Sequence, residues 1–314
     1  MSDARKIIRR LTAVLAASAL LAPAMIAAEE SEGADTPAVV LQPSSPWSLN
    51  YADDSCRLAR LFGEGKQKTL LQLEQFEPNR QFMLAIAGGG FGNRLEPGET
   101  RVQFGPAHPP QVVYPHGGAL GEYSPAMIVS SARVREVESY EQEGRKRDLE
   151  RYELFEPDNP VTEADEQYVE WIGIEHRGSS RLRLETGTMG DAFAALNACS
   201  EELLTHWGLD LERYKARSMP PIPKRSPGTW LSYSDYPSSM LRKELQGLVY
   251  FRVMIDAEGK PSSCHIQQSS RPEDFEKAVC RAIMRRARFE PALDADGEPM
   301  ASYYRNTVRF TLPD

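Results

Sequence analysis

Groups that bind metals or drive catalysis are scarce in this chain. Its 314 residues include five histidines and four cysteines. None of these falls into a Cys-x-x-Cys or His-x-x-x-His spacing, so no metal site is expected. A Gly-x-Ser-x-Gly elbow and a Ser-x-x-Lys pair are also missing, which removes two common nucleophile arrangements. Positive charge is in deficit, with 37 Lys+Arg against 45 Asp+Glu and a formal charge of −8. A nucleic-acid binder needs a basic face, so that class is excluded. From Trp230 onward the segment carries 12 basic and 12 acidic residues, so the acidity lies upstream. Ala87-Gly-Gly-Gly-Phe-Gly-Asn93 lacks the Lys-Ser/Thr of a phosphate loop and reads as a turn. His108 and His116 read as loop histidines, and Asp53-Asp54 and Glu201-Glu202 as surface acids. The expectation is a protein without enzymatic activity, cofactor or metal.

Long apolar runs are confined to the N-terminus. Arg5, Lys6, Arg9 and Arg10 precede an uncharged, alanine-rich stretch from Leu11 to Ala28, and Ile26-Ala27-Ala28 stands before Glu29-Glu30. This pattern predicts an export signal cleaved after about Ala28 and a periplasmic mature chain. The alternative is an inner-membrane anchor through 11–28, because roughly 18 apolar residues is the lower edge of a membrane span. Four cysteines in an exported chain favour disulfides. Three connectivities exist, and pairing within each half of the chain, Cys56 with Cys199 and Cys264 with Cys280, is the parsimonious one.

The pattern divides the chain into a signal peptide (1–28), a polar, proline-punctuated disordered stretch (29–45), a β-rich domain (46–215), a Pro-rich linker (216–229) and a C-terminal domain (230–314). Strand-like segments in the first domain are Thr69–Phe76, Phe82–Ala87, Ala126–Ser130, Tyr168–Ile174 and Arg181–Glu185. Turns are expected at Pro78-Asn79, Gly88–Gly90, Pro97-Gly98 and Gly117-Gly118. One helix is predicted over Asp191–Trp207, where Phe193, Leu196, Cys199, Leu203 and Trp207 share a face. Gly208 fits a left-handed C-terminal cap. Proline stiffens Ser218–Gly228 into a short spacer.

The last segment opens with Tyr236-Pro237. In Leu248–Ile255, apolar Val249, Phe251, Val253 and Ile255 alternate with Tyr250, Arg252 and Met254, as in a half-buried strand. Glu258-Gly259 turns the chain back through Cys264, Ile266 and Gln268. A helix follows over Glu273–Arg286 with an apolar stripe of Phe275, Val279, Ile283 and Met284. Arg281, Arg285, Arg286 and Arg288 cluster at its C-terminal end, complementing the helix dipole. A last strand, about Thr307–Leu312, turns Val308, Phe310 and Leu312 inward. Chain direction makes it pair with the first strand in the order 2-1-3, which leaves the last strand at an edge open to an added strand. The predicted class is α+β: a mostly β N-terminal domain with one packed helix, then a small strand-strand-helix-strand domain.

From about Tyr236 to Leu312 the order of these elements resembles the C-terminal domain of TonB, the periplasmic arm that engages outer-membrane transporters. The resemblance implies that a short N-terminal segment of an outer-membrane TonB-dependent transporter, or of another envelope protein, docks beside Thr307, Val308, Arg309, Phe310, Thr311 and Leu312. It also implies a part for Tyr236 and Pro237 in receptor engagement. Energy-transducing members carry an anchor with a functional histidine, and no histidine falls in Leu11–Ala28. With that and the short spacer, the chain reads as keeping the docking domain without coupling to proton movement. The competing reading is a structural envelope protein that packs its own domains together or forms a homodimer.

Overall fold

The computed structural model describes residues 39–78, 80–91, 98–136, 161–176, 181–269 and 272–312. The signal segment therefore lies outside the described residues, as do Asn79 and Pro97 of two expected turns. In chain order the first part contains β1 (Val39–Leu41), β2 (Ser48–Tyr51), β3 (Cys56–Phe62), β4 (Thr69–Gln75), β5 (Phe82–Gly88), β6 (Thr100–Phe104), β7 (Gln111–Val113), β8 (His116–Leu120) and β9 (Tyr123–Ala132). It continues with α1 (Glu163–Gln167), β10 (Ile172–His176), β11 (Leu182–Leu184), α2 (Gly190–His206) and α3 (Leu211–Lys215). A six-stranded sheet runs β2-β3-β4-β5-β9-β8 and a five-stranded sheet runs β1-β11-β10-β6-β7. One core takes side chains from both sheets and from α2. Phe82 of β5 meets Phe104 of β6 edge-on at 5.8 Å and Phe193 of α2 at 5.8 Å. All seven residues of β5 are buried, which explains its unbroken apolar run.

The strand and helix pattern of the first part matches the expectation, with local corrections. Tyr168 follows α1, and the strand placed at Tyr168–Ile174 begins only at Ile172. Gly117-Gly118 lies within β8, paired to Met127 and Ala126, and His116 lies in the same strand. Residues 39–45, expected to be disordered, are ordered. Val39–Leu41 pairs in parallel with β11, Pro43 bridges Phe62, and Leu41 is buried. Burying that apolar side chain in the core outweighs the turn-forming composition around it. Gly88–Gly90 turns out of β5 as expected, and glycine is required there: a Cβ on Gly89 would lie 1.7 Å from Lys66 O. Gly208 caps α2 with φ +81°, and Leu209 N–H donates back to Leu204 O. A disulfide joins Cys56 of β3 to Cys199 of α2, with Cα atoms 6.0 Å apart.

The second part comprises β12 (Ile222–Pro223), α4 (Ser238–Arg242), β13 (Gly247–Ile255), β14 (Pro261–Ser269), α5 (Glu273–Arg286), β15 (Phe289–Glu290), β16 (Ala292–Leu293), β17 (Pro299–Met300) and β18 (Ser302–Phe310). Its sheet has the order β14-β13-β18, all antiparallel. Val249, Phe251, Val253 and Ile255 are buried beneath Phe275, Val279 and Ile283 of α5. Each fully buried phenylalanine contributes about 1.5–3 kcal/mol to that packing. A second disulfide ties Cys264 of β14 to Cys280 of α5. The last strand starts at Ser302, five positions earlier than expected, and ends at Phe310, so Thr311 and Leu312 lie beyond it. Tyr303 and Arg305 extend it because their side chains find partners on the sheet's far face.

That far face carries the largest departure from the sequence reading. The alternation in β13 predicted one solvated face, yet Arg252 there is only 3% exposed. The first part of the chain covers it. Leu204, Leu209 and Tyr214 form a third core with Ala292, Met300 and Tyr303. Trp207 meets Tyr303 at 5.2 Å and Tyr214 stacks on it at 5.4 Å. The proline-rich linker is pinned as well. Ser218 and Met219 N–H groups donate to Leu293 O, Ile222–Pro223 pairs with β15, and Lys224 N–H donates to Arg288 O. These contacts tie it to the second part, so it does not act as a free spacer.

Candidate functional site

The expected docking strand is an edge of its sheet: β18 pairs with β13 on one side and, among the described residues, with no strand on the other. Which backbone groups face outward follows from alternation. Just past β13, the Asp256 N–H donates to Lys260 O on the β14 side at 3.0 Å. Hydrogen-bonding groups alternate from side to side along a strand, so Val249, Phe251 and Val253 turn toward β18. Their partners there are Val308, Asn306 and Tyr304. The N–H groups of Thr307 and Arg309 therefore point away from the sheet. Asn306, Thr307 and Arg309 are exposed, Val308 is half-buried and Phe310 is buried.

Beside this edge lies a groove of about 560 Å³. Residues 306–311 form one wall and Pro227–Tyr233 the other, with Phe251, Ile283 and Phe310 at its base. The Pro227–Tyr233 wall is stiff. Trp230 is 2% exposed and packs edge-on against Phe289 at 5.5 Å and Tyr304 at 5.6 Å. A following turn is closed by Asp235, which accepts from the N–H and hydroxyl of Ser232 at 2.8 and 2.9 Å. Arg286 of α5 donates to both Asp235 oxygens and to Trp230 O, at 2.6–3.0 Å. Those hydrogen bonds and the Arg286 charge hold the Asp235 carboxyl well below its ordinary pKa, at about 2. Arg286 is thus a brace for the groove wall. Arg281 and Arg285 line a second depression of about 530 Å³ on the other side of that turn.

Of the residues singled out in the sequence, the groove brings together Tyr236 and Thr307–Thr311. Tyr236 does so as part of the core. Its ring lies 5.6 Å from Phe275 and 5.4 Å from Phe310, and its hydroxyl donates to Leu245 O at 2.6 Å. Pro237 lies off the groove, before α4, and lines the second depression. Leu312 is outside the groove lining. Sequence reasoning missed Trp230, Leu231, Tyr233 and Asn306. The 63% exposure of Tyr233 beside a buried tryptophan has no periodic signature. The aromatic spacing before Tyr236 was the only available hint.

The far face of the sheet is tied down by charge. Arg252 Nη2 donates to Asp54 Oδ1 at 2.6 Å while its guanidinium lies 3.8 Å from the Trp207 ring centre. Burial pulls the Arg252 pKa down, and the hydrogen bond and charge of Asp54 push it back up. Arg305 Nη1 and the Tyr303 hydroxyl donate to the two Glu77 oxygens, at 2.7 and 2.9 Å. Asp54, read from the sequence as a surface acid, is therefore an interface residue. These contacts use the first half of β18 and leave residues 306–311 clear.

In the first part, Glu166 of α1 is a buried carboxyl. Burial raises its pKa, opposed by Arg80 and by Asn197, whose Nδ2 donates to it at 3.0 Å. Those partners tie α1 and α2 to the turn after β4. His108 is buried, with its Nε2 2.9 Å from Asp165 O. Among the described residues, no group of three or more His, Cys, Asp or Glu could hold a metal ion, and no helix is long and apolar enough to cross a membrane.

Residues 232–312 match the family model of the Gram-negative bacterial TonB protein C-terminal. The match spans the Asp235 turn, the sheet, α5 and β18, and leaves the β-rich part outside it. No curated protein matches the chain.

Proposed function

We propose that the chain is an exported envelope protein whose C-terminal domain receives an extended segment of an outer-membrane transporter, or of another envelope protein, by strand addition along β18. The observation that carries this reading is the groove beside the unpartnered half of β18. Outward N–H groups at Thr307 and Arg309 would supply main-chain pairing, and the Trp230–Tyr233 wall would read side chains. The TonB-type match over 232–312 supports a transport-related partner. Tyr236 serves the site by fixing the groove base. The mature chain would begin near Glu29 in the periplasm. N-terminal sequencing after fractionation tests this, and an intact Met1 or Ser2 terminus in the membrane fraction overturns it in favour of an anchor through 11–28.

Two proline substitutions in the full chain test strand addition. Arg309→Pro removes an outward N–H and should leave the β13 ladder intact, at less than about 1 kcal/mol in stability. Val308→Pro removes a ladder bond to Val249 and leaves a buried carbonyl unpaired, costing about 2–4 kcal/mol. Synthetic peptides copying the N-terminal segments of outer-membrane transporters, titrated by calorimetry, should bind the unaltered chain and bind Arg309→Pro at least about tenfold more weakly. Absence of saturable binding at millimolar peptide would move the reading to the structural class. One observation favours that class in part: the first part of the chain already covers the sheet's far face through Asp54 and Glu77.

A further inference from the structure

The open edge carries a side chain that occupies it. The outward Thr307 N–H donates to Asn306 Oδ1 at 2.7 Å. Asn306 is held in turn, because its Nδ2 donates to the Tyr304 hydroxyl at 2.9 Å. Tyr304 is wedged between Trp230, at 5.6 Å, and Phe289, at 5.3 Å. An exposed asparagine thus links the groove wall to the central donor of the edge. Exposed edges pair indiscriminately with other strands unless something blunts them.

We propose that Asn306 is an edge latch: an incoming strand must swing it off the Thr307 N–H before pairing there. The inference rests on the strand-addition reading and concerns its selectivity. At Thr307 a partner carbonyl replaces the Asn306 carbonyl, so one hydrogen bond is broken for each one formed. Pairing at that position then adds almost nothing net. A strand that offers only its backbone, a second copy of this chain included, is disfavoured. A partner whose side chains fill the Trp230–Tyr233 groove compensates. A neutral hydrogen bond contributes about 1 kcal/mol net, so removing the latch should tighten backbone-only pairing about fivefold.

Asn306→Ala in the full chain removes the latch, and Tyr304→Phe frees its anchor while keeping the ring. Amide exchange by NMR reads the latch without any ligand. In the unaltered chain Thr307 should exchange several-fold more slowly than Arg309, and Asn306→Ala should erase that difference. Thr307 exchanging as fast as Arg309 in the unaltered chain overturns the latch. The second readout is titration with a peptide of alternating threonine and valine, which offers pairing but no groove-filling aromatic. Asn306→Ala should bind it about fivefold more tightly, with Tyr304→Phe intermediate. Equal affinities overturn the latch and leave strand addition standing. If neither chain binds any peptide while Thr307 stays protected, strand addition falls and the gating role falls with it. Matching urea midpoints for the variants exclude unfolding as the cause.

Discussion

Removing the Arg252 guanidinium should loosen the first part of the chain from the C-terminal sheet, by an amount its surroundings allow to be worked out. Its side chain is 3% exposed, and Asp54, 2.6 Å away, is 24% exposed. Breaking a fully buried pair from one side costs about 3–5 kcal/mol. Asp54 keeps contact with water, so the lower end applies. The stacking on Trp207 at 3.8 Å adds about 1–2 kcal/mol. Against these, Arg252 Nε is buried with no hydrogen-bond partner among the described residues, a penalty of about 1–3 kcal/mol that truncation relieves. Arg252→Ala should therefore destabilise by about 1–4 kcal/mol. The double variant Arg252→Met with Asp54→Asn keeps the volume over Trp207 and removes both charges, so it should lie within about 1 kcal/mol of the unaltered chain. Urea unfolding of the oxidised full chain measures both, with tryptophan fluorescence reporting partly on Trp207 and far-ultraviolet circular dichroism on the whole. Added salt should change little, because buried pairs are weakly screened. An Arg252→Ala midpoint equal to that of the unaltered chain would refute the reasoning. So would the double variant being as unstable as Arg252→Ala, since that would make the charge pair itself the stabilising element.

Acid should open the groove wall. The Arg286 pairing depresses Asp235 from an ordinary 3.8 to about 2, so its stabilisation is complete above pH 3.8 and is lost as pH falls toward 2. Asp235→Asn should flatten that part of the stability profile between about pH 4 and pH 2, and an unchanged profile would count against the brace. Converting Cys264 and Cys280 to serine opens a loop of about 15 residues and should cost about 3 kcal/mol, read as a lowered urea midpoint. The Cys56–Cys199 bond lies in another core, so peptide mapping of that variant should still recover it.

What the sequence made legible was set by local periodicity. The α5 stripe, the alternation in β13 and the capped helix α2 each follow from spacing that one element imposes on its own residues. The strand order β14-β13-β18 followed from chain direction alone. The missed features depend on pairs far apart in sequence. Asp54 looked like a solvated acid because Arg252 stands 198 positions away. Tyr303 and Arg305 fell outside the expected last strand because their partner, Glu77, is more than 220 positions upstream. A polar residue in an alternating strand reads as solvent-facing whether water or another domain covers it, and composition does not separate the two.

The same distinction explains how one sheet can be docked within the chain and still remain open to a partner. A strand offers two independent surfaces: side-chain faces perpendicular to the sheet and backbone groups in its plane. The first part of the chain takes a face, through the side chains of Arg252, Tyr303 and Arg305, and that recognition is fixed by named charges and rings. The edge at 306–311 lies in the plane and is untouched by those contacts. Covering the face therefore does not compete with pairing at the edge, and it removes the apolar and charged surface through which an exposed sheet would otherwise associate. It also holds β13 and β18 in register, so that the outward N–H groups of Thr307 and Arg309 stand at a fixed spacing beside the Trp230 wall. A rigid edge loses little conformational freedom when a strand is added, which favours binding by a short segment.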